Sequence, residues 1–188
     1  MNTPIRLACC ALLLSVPGLL VADPTQWSSV AADSQLTFSA YYEGEELPGR
    51  FTTFAVRLEV DEATGSPCAL FVEVEIGSAD MNDREINAEI VEPDWFDAQA
   101  FPTASYESSQ IRPAENGFLA TGGLRIKGIE QALELPLDWR QEGGTATLSG
   151  SVTLSRQAWQ VGTGEWSNNA SLSDRVDVHF RVALAPAD

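Results

Sequence analysis

Histidine and cysteine are almost missing from this chain, and each shortage closes off a class of function. His179 is the sole histidine among 188 residues, and the residues that share its parity, Arg175, Asp177 and Arg181, put it on a polar strand face. A histidine-based catalytic triad or a multi-histidine metal centre is therefore not supported. There are three cysteines, two of them at Cys9 and Cys10. Cationic residues are scarce as well, 11 Lys and Arg against 27 Asp and Glu, giving a formal charge of -16. Such an excess of negative charge repels nucleic acid and anionic lipid surfaces. Long apolar runs are confined to Leu7–Val21. That run is about 15 residues long, short of the roughly 20 that a spanning helix needs.

The same run has the layout of a secretory leader. Arg6 supplies the early charge, Leu7–Val21 the apolar core, and Leu20-Val21-Ala22 a small-residue cleavage site before Asp23. The expected division is a signal peptide over 1–22 and a mature domain over 23–188, exported to an oxidising compartment. Cys9 and Cys10 precede the apolar run rather than follow it, which argues against lipid attachment. Cleavage would remove both and leave Cys68 alone, so no intramolecular disulfide is available in an oxidising compartment. Losing Arg6 takes the formal charge to -17. The remaining length suits one domain with a sizeable interior.

What is present is alternation. Leu36, Phe38 and Ala40 share a face, then Phe54, Val56, Leu58 and Val60, then Leu70, Val72, Val74 and Ile76. The pattern resumes with Phe118 to Ile126, Leu133 to Trp139, Ala146 to Leu154 and Val176 to Leu184. Period-two alternation is that of half-buried antiparallel strands. Turn chemistry separates the runs: Gly44 to Gly49 with Pro48, Glu62 to Pro67 with Gly65, and the hairpin signal Asn116-Gly117. One interval departs, because Ile86 and Ile90 lie four apart between good helix formers. A short helix is expected over Asp80–Val91, capped by Ser78 or Asp80 and stopped by Pro93. About eight such strands make an all-β domain, either a closed barrel or a two-sheet sandwich, and periodicity alone does not choose.

After the helix comes Glu92-Pro-Asp-Trp-Phe-Asp97, with two large aromatics adjacent in a segment that is neither helix nor strand. Its place before the Thr103–Gln110 strand predicts that Trp95 and Phe96 turn inward at one barrel end. A small barrel is filled by side chains or holds one elongated ligand. A long apolar ligand would need a dry channel with a few polar groups at its mouth. Phe38, Phe54, Val72, Trp95, Phe96, Leu124, Leu135, Leu148, Val178 and Phe180 have the parity or position to line it; as an alternative they simply fill the barrel. Candidate mouth cations are Arg50, Arg84, Lys127, Arg156 and Arg175. A multiply charged anionic headgroup needs two or more of them converging, whereas a neutral carbonyl headgroup needs only a donor or two. The acidic chain favours the neutral headgroup. For Arg84 and Arg156 the structural alternative is pairing with nearby carboxylates.

Other features carry little. Glu92, Asp94 and Asp97 lack calcium-loop spacing. Gly162-Thr163-Gly164 lacks the later glycine and the strand-to-helix setting of a dinucleotide loop. Asn169-Ala170-Ser171 is a sequon by pattern only. No nucleophile, base or metal set converges, so no enzyme and no cofactor are expected.

Several residues taken together resemble the YceI-like family. They are Trp27 with Val30, Ser34-x-Leu36-x-Phe38, Gly49-x-Phe51-x-x-Phe54, Asp83-Arg84-Glu85, Asp94-Trp95-Phe96-Asp97 with Phe101-Pro102 and Ser108, Ile126-x-Gly128, and Arg156 before Gly162 and Trp166. The resemblance spans nearly all of the mature chain, and its most specific element is the Trp-Phe-Asp stretch followed by Phe-Pro. It implies an extended eight-stranded antiparallel lipocalin-like β-barrel with a short helix, periplasmic, binding a polyisoprenoid such as an isoprenoid quinone or a similar long-chain amphiphile. It also implies a membrane b-type cytochrome as a partner, and an acidic module docking such a redox protein is the alternative function. Whether the chain acts as a monomer or a homodimer is left open. Two departures from the family pattern stand out: Asp33 where many members have histidine before Ser34, and Arg84-Glu85-Ile86-Asn87 where many have Arg-Asp and then His-Leu. Headgroup contact through those histidines is not expected of this chain, and the apolar pore does not depend on them.

Overall fold

A computed structural model describes residues 23–187; Met1–Ala22, with the expected leader and Cys9 and Cys10, lie outside the described residues. In chain order the strands are β1 (Thr25–Ser29), β2 (Gln35–Tyr42), β3 (Glu45–Phe51), β4 (Phe54–Asp61), β5 (Ser66–Glu75), β6 (Ala79–Asp80), β7 (Thr103–Ala114), β8 (Gly117–Ile126), β9 (Ile129–Glu142), β10 (Thr145–Ser155) and β11 (Arg175–Pro186). Neighbours pair antiparallel in the order β1-β4-β5-β7-β8-β9-β10-β11, and β11 returns to β1 through Trp27↔Pro186 and Ser29↔Leu184. That last pairing closes eight strands into a barrel and decides against the sandwich.

The remaining strands extend one end of the ring. Both β1 and β2 pair with β11, β2 pairs with β3, and β3 pairs with β6. Three barrel strands are thus interrupted and resumed, by the 3-10 turn Ala31–Asp33, by Thr52-Thr53 and by the 3-10 turn Ile76–Ser78. The expected turn over Gly44–Gly49 is shorter than predicted: Glu43-Gly44 alone makes it, and Pro48 stands inside β3 opposite Ser39. Proline is tolerated there because β3 has only the two-residue β6 on its other side, so most of it is an edge. The Asn116-Gly117 signal does mark a hairpin, with the turn at Glu115-Asn116 and Gly117 at φ +92° opening β8.

The helix is also shorter than the sequence suggests. It spans Arg84–Glu89, and its cap is Asp83, whose Oδ1 accepts from the backbone N–H of Glu85 at 2.8 Å and of Ile86 at 3.1 Å. Asp80 is unavailable as a cap because it belongs to β6 and accepts from Asn82 N and Asn87 Nδ2. Ser78 instead donates to the Glu75 carbonyl at 2.7 Å. Asn82, at φ +55°, separates strand from helix.

The wall is uneven around its circumference. The β10–β11 ladder runs through ten residue pairs, but β9 and β10 pair only over Asp138–Glu142 with Thr145–Ser149. Pro136 brings no N–H to either neighbour. Its carbonyl and the Phe180 ring lie so close to Gly150 that a Cβ there would collide with both. Past this point the 3-10 turn Arg156–Trp159 lies alongside β9 and β8: Gln131 Nε2 of β9 donates to the Ala158 carbonyl at 3.1 Å, and Trp159 Nε1 donates to the Leu124 carbonyl of β8 at 3.1 Å.

The core occupies the β1 end of the barrel. Leu58, Ala120, Leu137, Leu148 and Leu184 are each at most 1% exposed, and Trp27 lies edge-on to Trp139 with ring centroids 5.5 Å apart. Full burial of a leucine side chain contributes roughly 1.5–3 kcal/mol, so this packed end carries much of the stability of a chain with no disulfide between described residues.

Candidate functional site

Above the packed end the barrel is hollow. Its cavity offers about 200 Å3 to the centres of water molecules. Apart from Tyr106, Trp159 and Arg156, every lining residue is aliphatic or phenylalanine. The boundary between core and cavity follows strand register. On β4, Phe54 and Val56 face the hollow while Leu58 and Val60 lie in the core; on β9, Leu133 and Leu135 face it while Leu137 lies below. On β11, Val176, Val178, Phe180 and Val182 line the hollow, and Leu184 closes the floor. The barrel is thus packed toward the β1 end and hollow above it.

The far end is covered by two segments, 84–102 and 156–173. Phe96 from the first and Trp159 and Val161 from the second border the cavity. They are tied to each other: the Asp94 carbonyl accepts from Gly162 N at 2.9 Å and Thr163 N at 2.8 Å, and Thr163 Oγ1 donates to Asp94 Oδ1 at 2.8 Å. Lys127 Nζ bridges them, donating to the Pro93 carbonyl at 2.7 Å and the Gln160 carbonyl at 2.9 Å. Outside the cover, Glu89 Oε1 accepts from the indoles of Trp95 at 3.2 Å and Trp166 at 3.1 Å.

Of the ten residues singled out from sequence, nine border the cavity: Phe38, Phe54, Val72, Phe96, Leu124, Leu135, Leu148, Val178 and Phe180. Trp95 does not. The backbone turn that sends Phe96 inward sends Trp95 outward, where it packs on Trp166 at 5.5 Å between centroids. The inward placement expected for both aromatics is therefore corrected for Trp95. Parity along the strands would also have yielded Leu36, Val56, Val74, Ile126 and Leu133, whereas Trp159 and Val161 sit in irregular backbone that carries no periodic signal.

The polar groups of the wall are already engaged. Arg156 is 5% exposed, and its guanidinium donates to the carbonyls of Ser173, Val161, Gly162, Trp166 and Leu172 at 2.7–3.2 Å. Burial pulls it below the ordinary arginine range, with Asp174 acting the other way. Its pairing with carboxylates, expected as the structural reading, is replaced by a ring of carbonyls. Tyr106 is 4% exposed, its hydroxyl donating to the Leu133 carbonyl at 3.4 Å; burial pushes its pKa up to about 12, so the phenol stays neutral. Arg50 pairs with Asp80 at 2.8 Å. Arg175 pairs with Asp177 on the outer face. Arg50, Lys127, Arg156 and Arg175 thus have separate partners and do not converge on the cavity. His179 is exposed, as its parity predicts.

The model of the YceI-like domain matches residues 27–184. The chain belongs to this family. Its crystallographic relatives include Burkholderia cenocepacia BcnA, 30% identical, with a TM-score of 0.78 over 82% of this chain and 98% of that one. A polyisoprenoid binding domain from Saccharophagus degradans, implicated in plant cell wall breakdown, has the same fold at 12% identity and a TM-score of 0.69, covering 86% of this chain and 98% of that one. Among sequence relatives, a UPF0312 protein of Vibrio vulnificus is 25% identical over 131 residues, 69% of each chain. A UPF0312 protein of Photorhabdus laumondii is 25% identical over 97 residues, 52% of this chain, which spans half the length of that relative. The eight-stranded lipocalin-like barrel with one short helix is thus the architecture of a YceI-like domain.

Proposed function

We propose that this YceI-like chain is a periplasmic binding and carrier protein that holds the apolar chain of an isoprenoid quinone or similar amphiphile inside the barrel. One observation carries the reading: the lining is apolar but for three side chains, Tyr106, Arg156 and Trp159, whose N–H and O–H groups donate to the protein's own backbone. Such a wall offers nothing to a charged metabolite, since transfer of an unpaired charge there is prohibitive, and it rewards each buried methylene by about 0.8 kcal/mol before ordering costs. The separate engagement of the cations favours a neutral headgroup over a diphosphate. An isoprenoid ligand is in keeping with the Saccharophagus degradans domain of the same fold, which is a polyisoprenoid binding domain. Export rests on the leader over 1–22, and no catalytic role is proposed.

Organic extraction of protein purified from an envelope fraction, followed by mass spectrometry, tests the reading. A stoichiometric long-chain lipid, displaced by added quinone, is the expected result; protein that neither carries nor takes up any isoprenoid overturns it. The excess of acidic side chains favours a basic partner, and a membrane b-type cytochrome is the partner proposed for loading or unloading. Co-elution with such a cytochrome that disappears at high salt is the corresponding observation.

A further inference from the structure

We infer that the aromatic ledge outside the cover, formed by Tyr42, Trp166 and Trp95, is a docking face for a partner protein that presents arginine or lysine side chains on an extended segment. Such a face serves the basic partner of the reading above, and it is independent of what the barrel holds. Tyr42 ends β2 and, at 37%, is the most exposed large hydrophobic side chain among the described residues. Its ring lies edge-on to that of Trp166 at 6.4 Å, and Trp166 lies 5.5 Å from Trp95, so the three rings form a row across the turn of β2 and both cover segments. Trp95 and Trp166 are partly exposed, and both give their indole N–H to the same Oε1 of Glu89. A backbone bridge from Tyr42 to Leu172 holds the third ring in line. Rings fixed in advance lose little freedom when a partner settles on them.

The ledge has the chemistry of cation recognition without the cation. Exposed carboxylates stand beside every ring: Glu43 follows Tyr42, Asp94 precedes Trp95, Glu165 precedes Trp166, and Glu89 bonds both indoles. None of these four forms an ion pair among the described residues. The cations nearby in the fold are engaged or set apart. Arg156 is buried among carbonyls, Lys127 donates to the carbonyls of Pro93 and Gln160, Arg175 pairs with Asp177, and Arg84 opens the helix that Glu89 ends. The adjoining wall shows the complete arrangement once: the guanidinium carbon of Arg175 lies 5.5 Å from the centroid of the Tyr41 ring while its nitrogen pairs with Asp177. At the ledge the rings and carboxylates are in place, and the cation must come from outside. An outer groove lined by Tyr41, Glu43, Asn169, Ser171, Asp174 and Arg175 gives an extended segment room beside Tyr42. The same carboxylates repel an anionic lipid surface and would set like charges face to face in a second copy of the chain.

Five tryptophans make a local test possible by NMR. In an isotope-labelled chain spanning residues 23–188, hexa-arginine should shift the indole N–H signals of Trp95 and Trp166 and leave in place those of Trp27 and Trp139, which pack together at the opposite end. Tyr42→Leu keeps the charge and loses the ring, and it should weaken the peptide about twofold to fivefold. Glu43→Gln combined with Glu165→Gln should weaken it at least as much. Glu115→Gln combined with Glu142→Gln removes the same charge at the turns of the packed end and should have little effect. Should Tyr42→Leu fail to melt cooperatively, the two glutamate pairs decide between them. Equal weakening by both pairs means that the peptide follows net charge alone and overturns the docking face, as does a peptide that leaves Trp95 and Trp166 unshifted. Shifts of those two signals brought on by phosphatidylcholine vesicles instead of the peptide, or by raising the protein concentration alone, also overturn it, marking a lipid surface or a second copy as the occupant. All of these results leave the lipid content of the barrel untouched, whereas protein that carries no lipid and still docks the peptide overturns the barrel reading alone.

Discussion

Trp95 lies against Trp166, not in the barrel, their ring centroids 5.5 Å apart and tilted by 47°. Its neighbour Phe96 takes the inward position and meets Phe51 edge-on at 6.3 Å. One residue of backbone advance therefore divides an aromatic pair between two jobs, holding the cover from outside and bordering the cavity from within. Phe96→Ala should reduce the lipid that survives purification, while Trp95→Ala should leave retention per folded molecule nearly unchanged. Extraction and mass spectrometry on the two variants make the comparison, and equal losses would contradict the division.

Glu89 supplies the second test, because its Oε1 accepts from both indoles on the outside of the cover. Glu89→Ala removes the shared acceptor, and with it both hydrogen bonds, at an exposed site, where each contributes only about 0.5–1.5 kcal/mol. The expected outcome is a small fall in Tm together with a faster exchange of bound for added isoprenoid. Unchanged exchange would show that the clasp does not limit movement of the cover.

The strands and the inward face were legible in the sequence because alternation with period two follows from the pleat itself, so Phe54, Val72, Leu135, Leu148 and Val178 could be placed by parity. Turns were less legible. Pro48 reads as a breaker, yet an edge strand tolerates it, and edge status depends on strand order that one chain does not reveal. Ser78 and Asp80 have the chemistry of caps but are claimed by contacts with Glu75, Asn82 and Asn87. The split between Trp95 and Phe96 lies in irregular backbone, where no period exists to read. Closure of the barrel depends on three register pairs between β1 and β11, distant in sequence.

Asp177 offers a pH signature. The hydrogen bond from Arg175, then that from Thr153, outweigh its desolvation, and Tyr41 adds a third donor at 2.8 Å, so its carboxyl sits well below the usual carboxylate range. A depressed folded-state pKa means stability that is fully present above the unfolded value of about 3.9 and is lost as pH falls toward the folded value. The Tm difference between the native chain and Asp177→Asn should hold steady from about pH 8 to 5 and shrink below about pH 4. A difference that grows on acidification would contradict this sign.

Cys68 is exposed, and its thiol lies 3.3 Å from the Glu59 carbonyl. Partial burial, then the nearby carboxylates of Glu59 and Asp61, push its pKa up. The thiolate is the reactive form, so alkylation at neutral pH should be slow and should accelerate steadily into the alkaline range. Mass spectrometry of a chain spanning residues 23–188 after maleimide treatment should count one adduct per molecule. A fast neutral reaction would mean that partial burial and the two carboxylates do not hold the thiol protonated.

Arg156 gives the sharpest contrast between a binding residue and a structural one. It borders the cavity, which invites a headgroup role, but its N–H groups are directed at five carbonyls of the segment 161–173. Lysine cannot reproduce that fan, because an ammonium presents three donors from one point while the guanidinium presents five in a plane. Removing the side chain would leave several buried carbonyls without partners, at about 1–3 kcal/mol for each one that water cannot reach. Arg156→Met and Arg156→Lys should therefore both lower Tm substantially, Lys a little less, and both should loosen the second cover segment. Hydrogen exchange gives the readout a mere loss of stability would not: protection should fall first at Val161, Gly162 and Thr163, whose amides are bonded within this cover, while β4 and β5 stay protected. Were Arg156 a headgroup ligand instead, both variants would keep the exchange pattern and lose only the bound amphiphile.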